Sequence, residues 1–334
     1  MDPFISSGTL PPAEVVAALV AEAYERFRHD DAGANSDVYP ALATVPPDLF
    51  GLCVVGVTGR SYVAGDADVE FSIMSVAKPF VFALVCDAVG PDAIRDEVGV
   101  NATGLPFNSV EAIELHGDGR TNPMVNAGAI ATTSLVAGAT VGERWGAIGD
   151  GLSRFAGRTL HLDDEIYASA SVTNHRNREI AAVLQRHGRI AGDPMEALDL
   201  YTMQSSLRVT ARDLAMMAAT LADGGVNPLS GDQVVGAASA RCALVVMSTA
   251  GLYETSGDWL FDIGLPGKSG IGGGIVTVSP GKGGLGTFAP RLDAAGNSVK
   301  GQRAARHLSR QLSLDLFRSA PARIWQDVAD GRGG

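Results

Sequence analysis

The chain has 334 residues, of which 46% are hydrophobic and 19% charged, with a formal net charge of −11. That balance supplies a large core and excludes wholesale disorder. The acidic surface repels phosphate backbones and excludes a nucleic-acid partner. Cys53, Cys86 and Cys242 form no CxxC pair, and the six histidines show no ligand spacing. A reduced, cytoplasmic protein without disulfide or structural metal is expected.

The start, MDPFISSGTLPPAEVV, carries neither the basic nor the apolar segment of a secretory signal. Next, PAEVVAALVAEAYERFRHD places Val15, Val16, Leu19, Val20, Ala23, Tyr24 and Phe27 at helical spacing. LFGLCVVGVTGRSYVAG reads as a hairpin around Thr58-Gly59-Arg60. FSIMSVAKPF, residues 71 to 80, opens a helix that runs to about Val89 and ends at Gly90-Pro91. Its apolar part, PFVFALVC, is too short to span a bilayer, so no membrane partner is expected.

From about 92 to 240 the pattern is helical segments and loops, including NPMVNAGAIATTSLVAGA, NREIAAVLQRHG and TARDLAMMAATLADGG. SARCALVVMSTAGLYETSGDW reads as one further helix. GLPGKSGIGGGIVTVSPGKGGLGTFAP reads as strands and turns, GQRAARHLSRQLSLDLF as a closing amphipathic helix, and DVADGRGG as a frayed end. The expected fold class is α/β (α+β): an antiparallel sheet from both chain ends, flanked by helices, with an inserted helical lobe. One domain spans 1–334. Residues 1–90 and 240–320 form its α/β lobe, 91–239 its helical lobe and 321–334 a tail.

The chemistry concentrates in FSIMSVAKPF. On a helix, residues three apart share a face, which relates Ser75 to Lys78, while Ser72 lies two turns from Lys78 as a capping or supporting hydroxyl. A lysine amine in apolar surroundings loses hydration, which lowers its pKa. The neutral amine can then take the proton of a neighbouring serine, making a nucleophile without histidine. The bland alternative is a helix serine beside a lysine that snorkels to solvent. A second Ser-x-x-Lys, Ser279 to Lys282, has Pro280 and Gly281 between, which forbid a helix.

Only four of the 26 basic residues are lysines: Lys78, Lys268, Lys282 and Lys300. Lysine can lose its proton in a protein and arginine cannot, so a lysine within FSIMSVAKPF and another in GLPGKSG are worth noting. GLPGKSG fails the phosphate-loop pattern, since position 262 is Asp262. Lys268-Ser269-Gly270 instead looks like the Lys-Ser/Thr-Gly strand motif of serine–lysine acyl-transfer enzymes.

Taken in order, GDADVEFSIMSVAKPF, PFNSVEAIEL, NPMVNAGAIATTSL, HRNREIA, LDLYTMQSS and GLPGKSGIGGGIV resemble the serine-dependent glutaminase family over roughly residues 35 to 290. The resemblance implies a fold similar to serine β-lactamases and penicillin-binding proteins, and hydrolysis of L-glutamine to L-glutamate and ammonia through a serine acyl-enzyme. No cofactor and no metal is implied. Ser75 matches the nucleophile and Lys78 its base. Tyr253 matches the proton-relaying tyrosine, and Tyr201 a second active-site tyrosine. Asn126 and Asn177 match substrate-contacting asparagines. The N–H of Ile271, where the family usually has valine, matches an oxyanion donor beside the N–H of Ser75. The expected partners are a small-molecule amide and further copies of the chain, as a homodimer or homotetramer.

Three positions depart from the family pattern. Ala170 stands where a glutamate is usual, Val38 where a substrate-contacting tyrosine is usual (with Tyr39 one place along), and Met74 where a glutamine precedes the nucleophile. The glutamate would face the α-ammonium of glutamine, and Asp164 or Glu165 are candidates to replace it. Two further readings stay open: the same acyl transfer on an amide whose α-amine is absent or acylated, and a non-catalytic binding homologue.

Overall fold

The computed structural model describes residues 8–115 and 117–319. Its strands are β1 (Gly51–Gly56), β2 (Ser61–Gly65), β3 (Phe71–Ser72), β4 (Arg208–Val209), β5 (Gly267–Ser269), β6 (Gly274–Ser279) and β7 (Gly283–Phe288). Five of them form one antiparallel sheet in the order β2-β1-β7-β6-β5, so strands from the two ends of the chain meet at its centre. There Gly51 pairs with Phe288 and Val54 with Leu285. The short β3 and β4 pair separately, Phe71 opposite Val209.

The period-2 alternation of a strand sorts β1 between two cores. Leu52 and Val54 face the terminal helices Ala13–Phe27 and Val299–Gln311, packing with Val16, Val20, Ile275, Leu285 and Leu308. Cys53 and Val55 face Ala215, Met216 and Ala219 of the helix Ala211–Ala222. That helix comes very close to β7. A methyl on Gly286 would stand 2.1 Å from the Ala211 carbonyl oxygen, and one on Gly284 would stand 2.3 Å from the Ala218 methyl. The helix thus packs on the sheet although it lies between 91 and 239 in the chain.

The largest core surrounds the helix Lys78–Val89, whose Phe80, Val81, Phe82, Val85 and Cys86 are all buried. A helix apolar all round belongs in an interior. It starts later than its sequence suggests. Residues 71 and 72 are strand, Met74–Ala77 is a 3₁₀ turn, and the α-helix begins at Lys78. Two local features fix that entry. Met74 has φ +47°, outside any right-handed helix. Pro79 sits in the first turn, where its missing N–H costs no hydrogen bond.

SARCALVVMSTAGLYETSGDW is likewise not one helix. It is Ala237–Ala250, a 3₁₀ turn Tyr253–Thr255 and Ser256–Ile263. The break follows from Tyr253 at φ +57° and from Gly251, where a methyl would stand 1.8 Å from the Gly267 carbonyl oxygen. Ser279 and Lys282 flank the β6–β7 turn, and each bonds a backbone carbonyl, of Leu314 and Ser313 respectively. The tail from residue 321 lies outside the described residues. No described helix is long and apolar enough to cross a membrane.

Candidate active site

Ser75 lies on the 3₁₀ turn that links β3 to the buried helix, and Lys78 closes that turn, its backbone N–H donating to the Ser75 carbonyl. The spacing of three residues therefore survives although the helix starts late. Ser72 donates to the Ser205 carbonyl at 2.9 Å and so braces the turn rather than capping it. Met74, directly before Ser75, occupies a backbone region that costs a non-glycine residue about 1–3 kcal/mol. Its buried side chain is held by Leu42, Ile166, Tyr39 and Ile271. The strain thus aims the Ser75 turn at the pocket, and packing around Met74 maintains it.

Lys78 is 2% exposed, and its amine donates to Asn126 Oδ1 at 2.7 Å and to the Met124 carbonyl at 3.3 Å. No carboxylate pairs with it among the described residues. Burial lowers its pKa to about 7. A neutral amine has two hydrogens, so these two bonds use both and leave the lone pair available. Asn126 Oδ1 also accepts from the Tyr201 hydroxyl at 3.1 Å. From Asn126 an amide relay runs outward: Asn126 Nδ2 donates to Asn177 Oδ1 at 2.8 Å, Asn177 Nδ2 to Asn174 Oδ1 at 2.5 Å, and Asn174 Nδ2 to Thr202 Oγ1 at 3.1 Å. Each amide fixes the orientation of the next.

The Ser75 hydroxyl lies beside the phenols of both Tyr201 and Tyr253. Burial pushes Tyr253 up to about 12 and Tyr201 well above the ordinary phenol range, so both stay protonated at neutral pH. On the far side, Tyr253 donates to the Ser269 carbonyl at 3.3 Å, and Lys268 donates to the same oxygen at 2.7 Å. The Lys268 amine lies 4.3 Å from the Tyr253 ring centroid. Burial lowers its pKa well below the usual lysine value, and the Lys78 charge lowers it further. Ser75 therefore sits between two phenols, each leading to a buried lysine.

Glycines bring the next loop against this turn. A methyl at Gly272 would stand 2.5 Å from the Ser72 carbonyl oxygen, and one at Gly270 would stand 3.2 Å from the Ser75 nitrogen. Ile271 lies between them and lines the pocket. Among the described residues, no acceptor takes its N–H.

One pocket gathers Ser75, Asn126, Asn177, Tyr201 and Ile271 with the three departing positions Val38, Met74 and Ala170. Lys78 and Tyr253 stand behind its wall. Tyr39 also lines the pocket, and its phenol is raised by burial, whereas Val38 is half exposed. Ala170 is buried on the helix Asp164–Thr173. Asp164 and Glu165 are exposed on that helix and do not line the pocket, so neither fills the place of the missing glutamate. Sequence reasoning missed Phe107, Asn108, Asn174 and Arg176, all on the pocket wall. For Arg176 a signal existed, since it directly precedes Asn177 in HRNREIA.

A helical lobe set on an antiparallel sheet, with Ser-x-x-Lys at their junction and Lys-Ser-Gly on the facing edge strand, defines the serine β-lactamase-like fold. The sequence profile of the glutaminase family matches residues 33–317, and the chain belongs to that family. It is 66% identical to glutaminase 2 of Yersinia pestis over 318 residues, 95% of this chain and 94% of that protein. The solved structure of a probable glutaminase, ybaS, superposes with a TM-score of 0.91 at 44% identity, covering 92% of this chain and all of the other. Mglu in its tris and glutamate form gives 0.86 at 36% identity, covering 91% of this chain and 68% of the other.

Proposed function

We propose that this glutaminase-family amidohydrolase converts L-glutamine and water to L-glutamate and ammonia through an acyl-enzyme on Ser75. The observation that carries the mechanism is the pairing of a serine turn with a buried lysine that has no counter-ion, joined through Asn126 and Tyr201. Ser75 Oγ attacks the side-chain carboxamide carbon as its proton passes to the Lys78 amine. The oxyanion is held by the N–H groups of Ser75 and Ile271, each such donor being worth about 2.7–4 kcal/mol. Tyr253 hands a proton to the leaving nitrogen and recovers one from the Lys78 ammonium, so that the C–N bond breaks to release ammonia and the amine is neutral again. Water then adds to the ester as Lys78 takes its proton, and Lys78 returns that proton to Ser75 Oγ as the C–O bond breaks to free glutamate. Asn126 and Asn177 bind the amino-acid end of the substrate, and Tyr201 keeps Asn126 in register with Lys78.

The test is ammonia release from glutamine by the wild type and by Ser75→Ala, with mass analysis after an electrophilic glutamine analogue. Loss of turnover in the variant, and added mass on Ser75 in the wild type, are expected. Wild-type turnover in Ser75→Ala would remove the mechanism. The absence of any adduct, with no turnover, would favour a binding homologue.

The same reading takes the chain, 1–334, as one domain, working in the cytoplasm as a homodimer or homotetramer. Light scattering on the purified protein and fractionation of cells producing it check those two points.

A further inference from the structure

The amide relay that ends at Asn126 has a direction, and the direction is set at its far end. Thr202 Oγ1 donates to the Leu198 carbonyl at 2.8 Å. A carbonyl only accepts, so the single hydroxyl hydrogen is used there and the lone pairs face Asn174. Asn174 must therefore turn its Nδ2 to Thr202, which leaves its Oδ1 for Asn177. The same choice passes to Asn177 and on to Asn126, whose Oδ1 ends beside the Lys78 amine. All four of these side chains are buried. The inner end imposes no direction of its own. The Tyr201 hydroxyl can give or accept, and a neutral lysine amine has a lone pair as well as hydrogens. With the relay reversed, Asn126 Nδ2 would donate to that lone pair, and the base would be occupied.

We propose that Thr202 and Asn174 are positioning residues: anchored on the Leu198 carbonyl, they hold the Asn126 oxygen toward Lys78 and so keep the lysine lone pair free for the Ser75 proton. This deepens the glutaminase reading and rests on it. Both residues act on Lys78 through Asn177 and Asn126. Thr202→Val keeps the shape of the side chain and removes the anchor. The ammonium form of Lys78 still demands the Asn126 oxygen, because it has no lone pair to offer. The neutral form can then meet either end of the amide, and only one of the two arrangements is active. The other titratable groups around Lys78 are Tyr201, whose ring centroid lies 5.8 Å from the amine, Tyr253 across Ser75, and Lys268. Both phenols stay protonated at neutral pH, and none of the three is altered by the substitution.

The experiment is the pH profile of kcat/KM for ammonia release from glutamine, a quantity that reports the free enzyme. It is run on the wild type, Thr202→Val, Thr202→Ser and Asn174→Leu, with melting curves to establish that each is folded. In Thr202→Val the plateau should fall by about 2- to 10-fold, the worth of one neutral hydrogen bond. The acid limb should move to lower pH by the logarithm of the same factor, so that the two profiles coincide below it. Asn174→Leu cuts the relay one link further in and should give the same paired change, which keeps the test open if Thr202→Val does not fold. Thr202→Ser restores the hydroxyl and should restore the wild-type profile. Mere loosening would admit water to the amine and raise the limb instead. A lower plateau with an unmoved or raised limb, an unchanged plateau, or a Thr202→Ser profile like that of Thr202→Val overturns the proposal while leaving the glutaminase reading in place. No ammonia from glutamine with the wild type overturns that reading, and this proposal with it.

Discussion

Lys78 Nζ stands 2.7 Å from Asn126 Oδ1, and that oxygen is also the acceptor for the Tyr201 hydroxyl. An amide oxygen holds the amine without charging it. A carboxylate of the same shape would favour the ammonium. In the wild type, kcat/KM should rise with pH and level off near 7, where Lys78 becomes neutral. Asn126→Asp should move this rise to clearly higher pH. At pH 7 its rate should then fall about tenfold for each pH unit moved, with recovery in alkaline buffer. A pH profile of kcat/KM for both proteins checks it; an unmoved acid limb in the variant would show that Lys78 is not the group being titrated.

The same burial has a stability consequence of definite sign. The folded chain protonates Lys78 only below about 7, whereas an unfolded lysine is protonated up to about 10.5. Between those values the unfolded state binds more protons, so stability rises with pH; below 7 the full cost of burying the amine is present. Lys78→Met removes that cost and leaves the Met124 carbonyl without its donor, an opposing loss of about 1–3 kcal/mol. The variant should be inactive yet more stable at pH 7 by roughly 1–3 kcal/mol, the advantage shrinking toward pH 10. Urea titrations at the two pH values measure it. Lys268, buried and lowered in the same direction, adds to the wild-type slope.

On the sheet, the approach of Ala211–Ala222 to β7 leaves no room for a methyl at Gly286. Overpacking of this kind costs typically about 1–3 kcal/mol. Here the clash is with backbone atoms, which cannot rotate away, so Gly286→Ala should reach the upper end. Its thermal midpoint should fall by several degrees, with KM for glutamine little changed in the fraction that folds. Calorimetry with kinetics on the surviving enzyme separates the two readouts.

These cases also show what could be read from the sequence and what could not. The alternation in GLCVVG, the helical spacing in the terminal segments and the Ser-x-x-Lys pair are local patterns, and local patterns survive folding. Gly284 and Gly286 fall in a stretch read only as strands and turns; they lie in a central strand and admit a helix more than 60 residues earlier in the chain. Nothing local marks such a packing demand. Met74 and Tyr253 hide left-handed backbone inside sequences of good helical texture. That conformation is imposed by what surrounds them, so both helices were expected to be longer than they are. At the site, Ser75, Lys78, Asn126, Asn177 and Tyr201 were legible as a set, whereas the amide relay through Asn174 to Thr202 was not, because it depends on which faces of three helices meet.

Ala170 supplies the last prediction. It is 2% exposed and forms part of the pocket wall. Ala170→Glu would place a carboxylate where no anionic residue now lines the site. With glutamine bound, that carboxylate would meet the α-ammonium and gain a charge-assisted hydrogen bond, so KM for glutamine should drop by about 10- to 100-fold. Glutaramate, the same carboxamide without the α-amine, should gain nothing and should be repelled by the added charge, so kcat/KM for glutamine relative to glutaramate should rise in the variant. Without substrate the buried carboxylate is unpaired, and the free enzyme should lose about 1–3 kcal/mol of stability, part of which glutamate should restore by binding. Kinetics on the two substrates and melting curves with and without glutamate measure both effects. An unchanged or higher KM for glutamine would mean that the α-amine does not approach residue 170, and that the ammonium is accommodated elsewhere in the pocket.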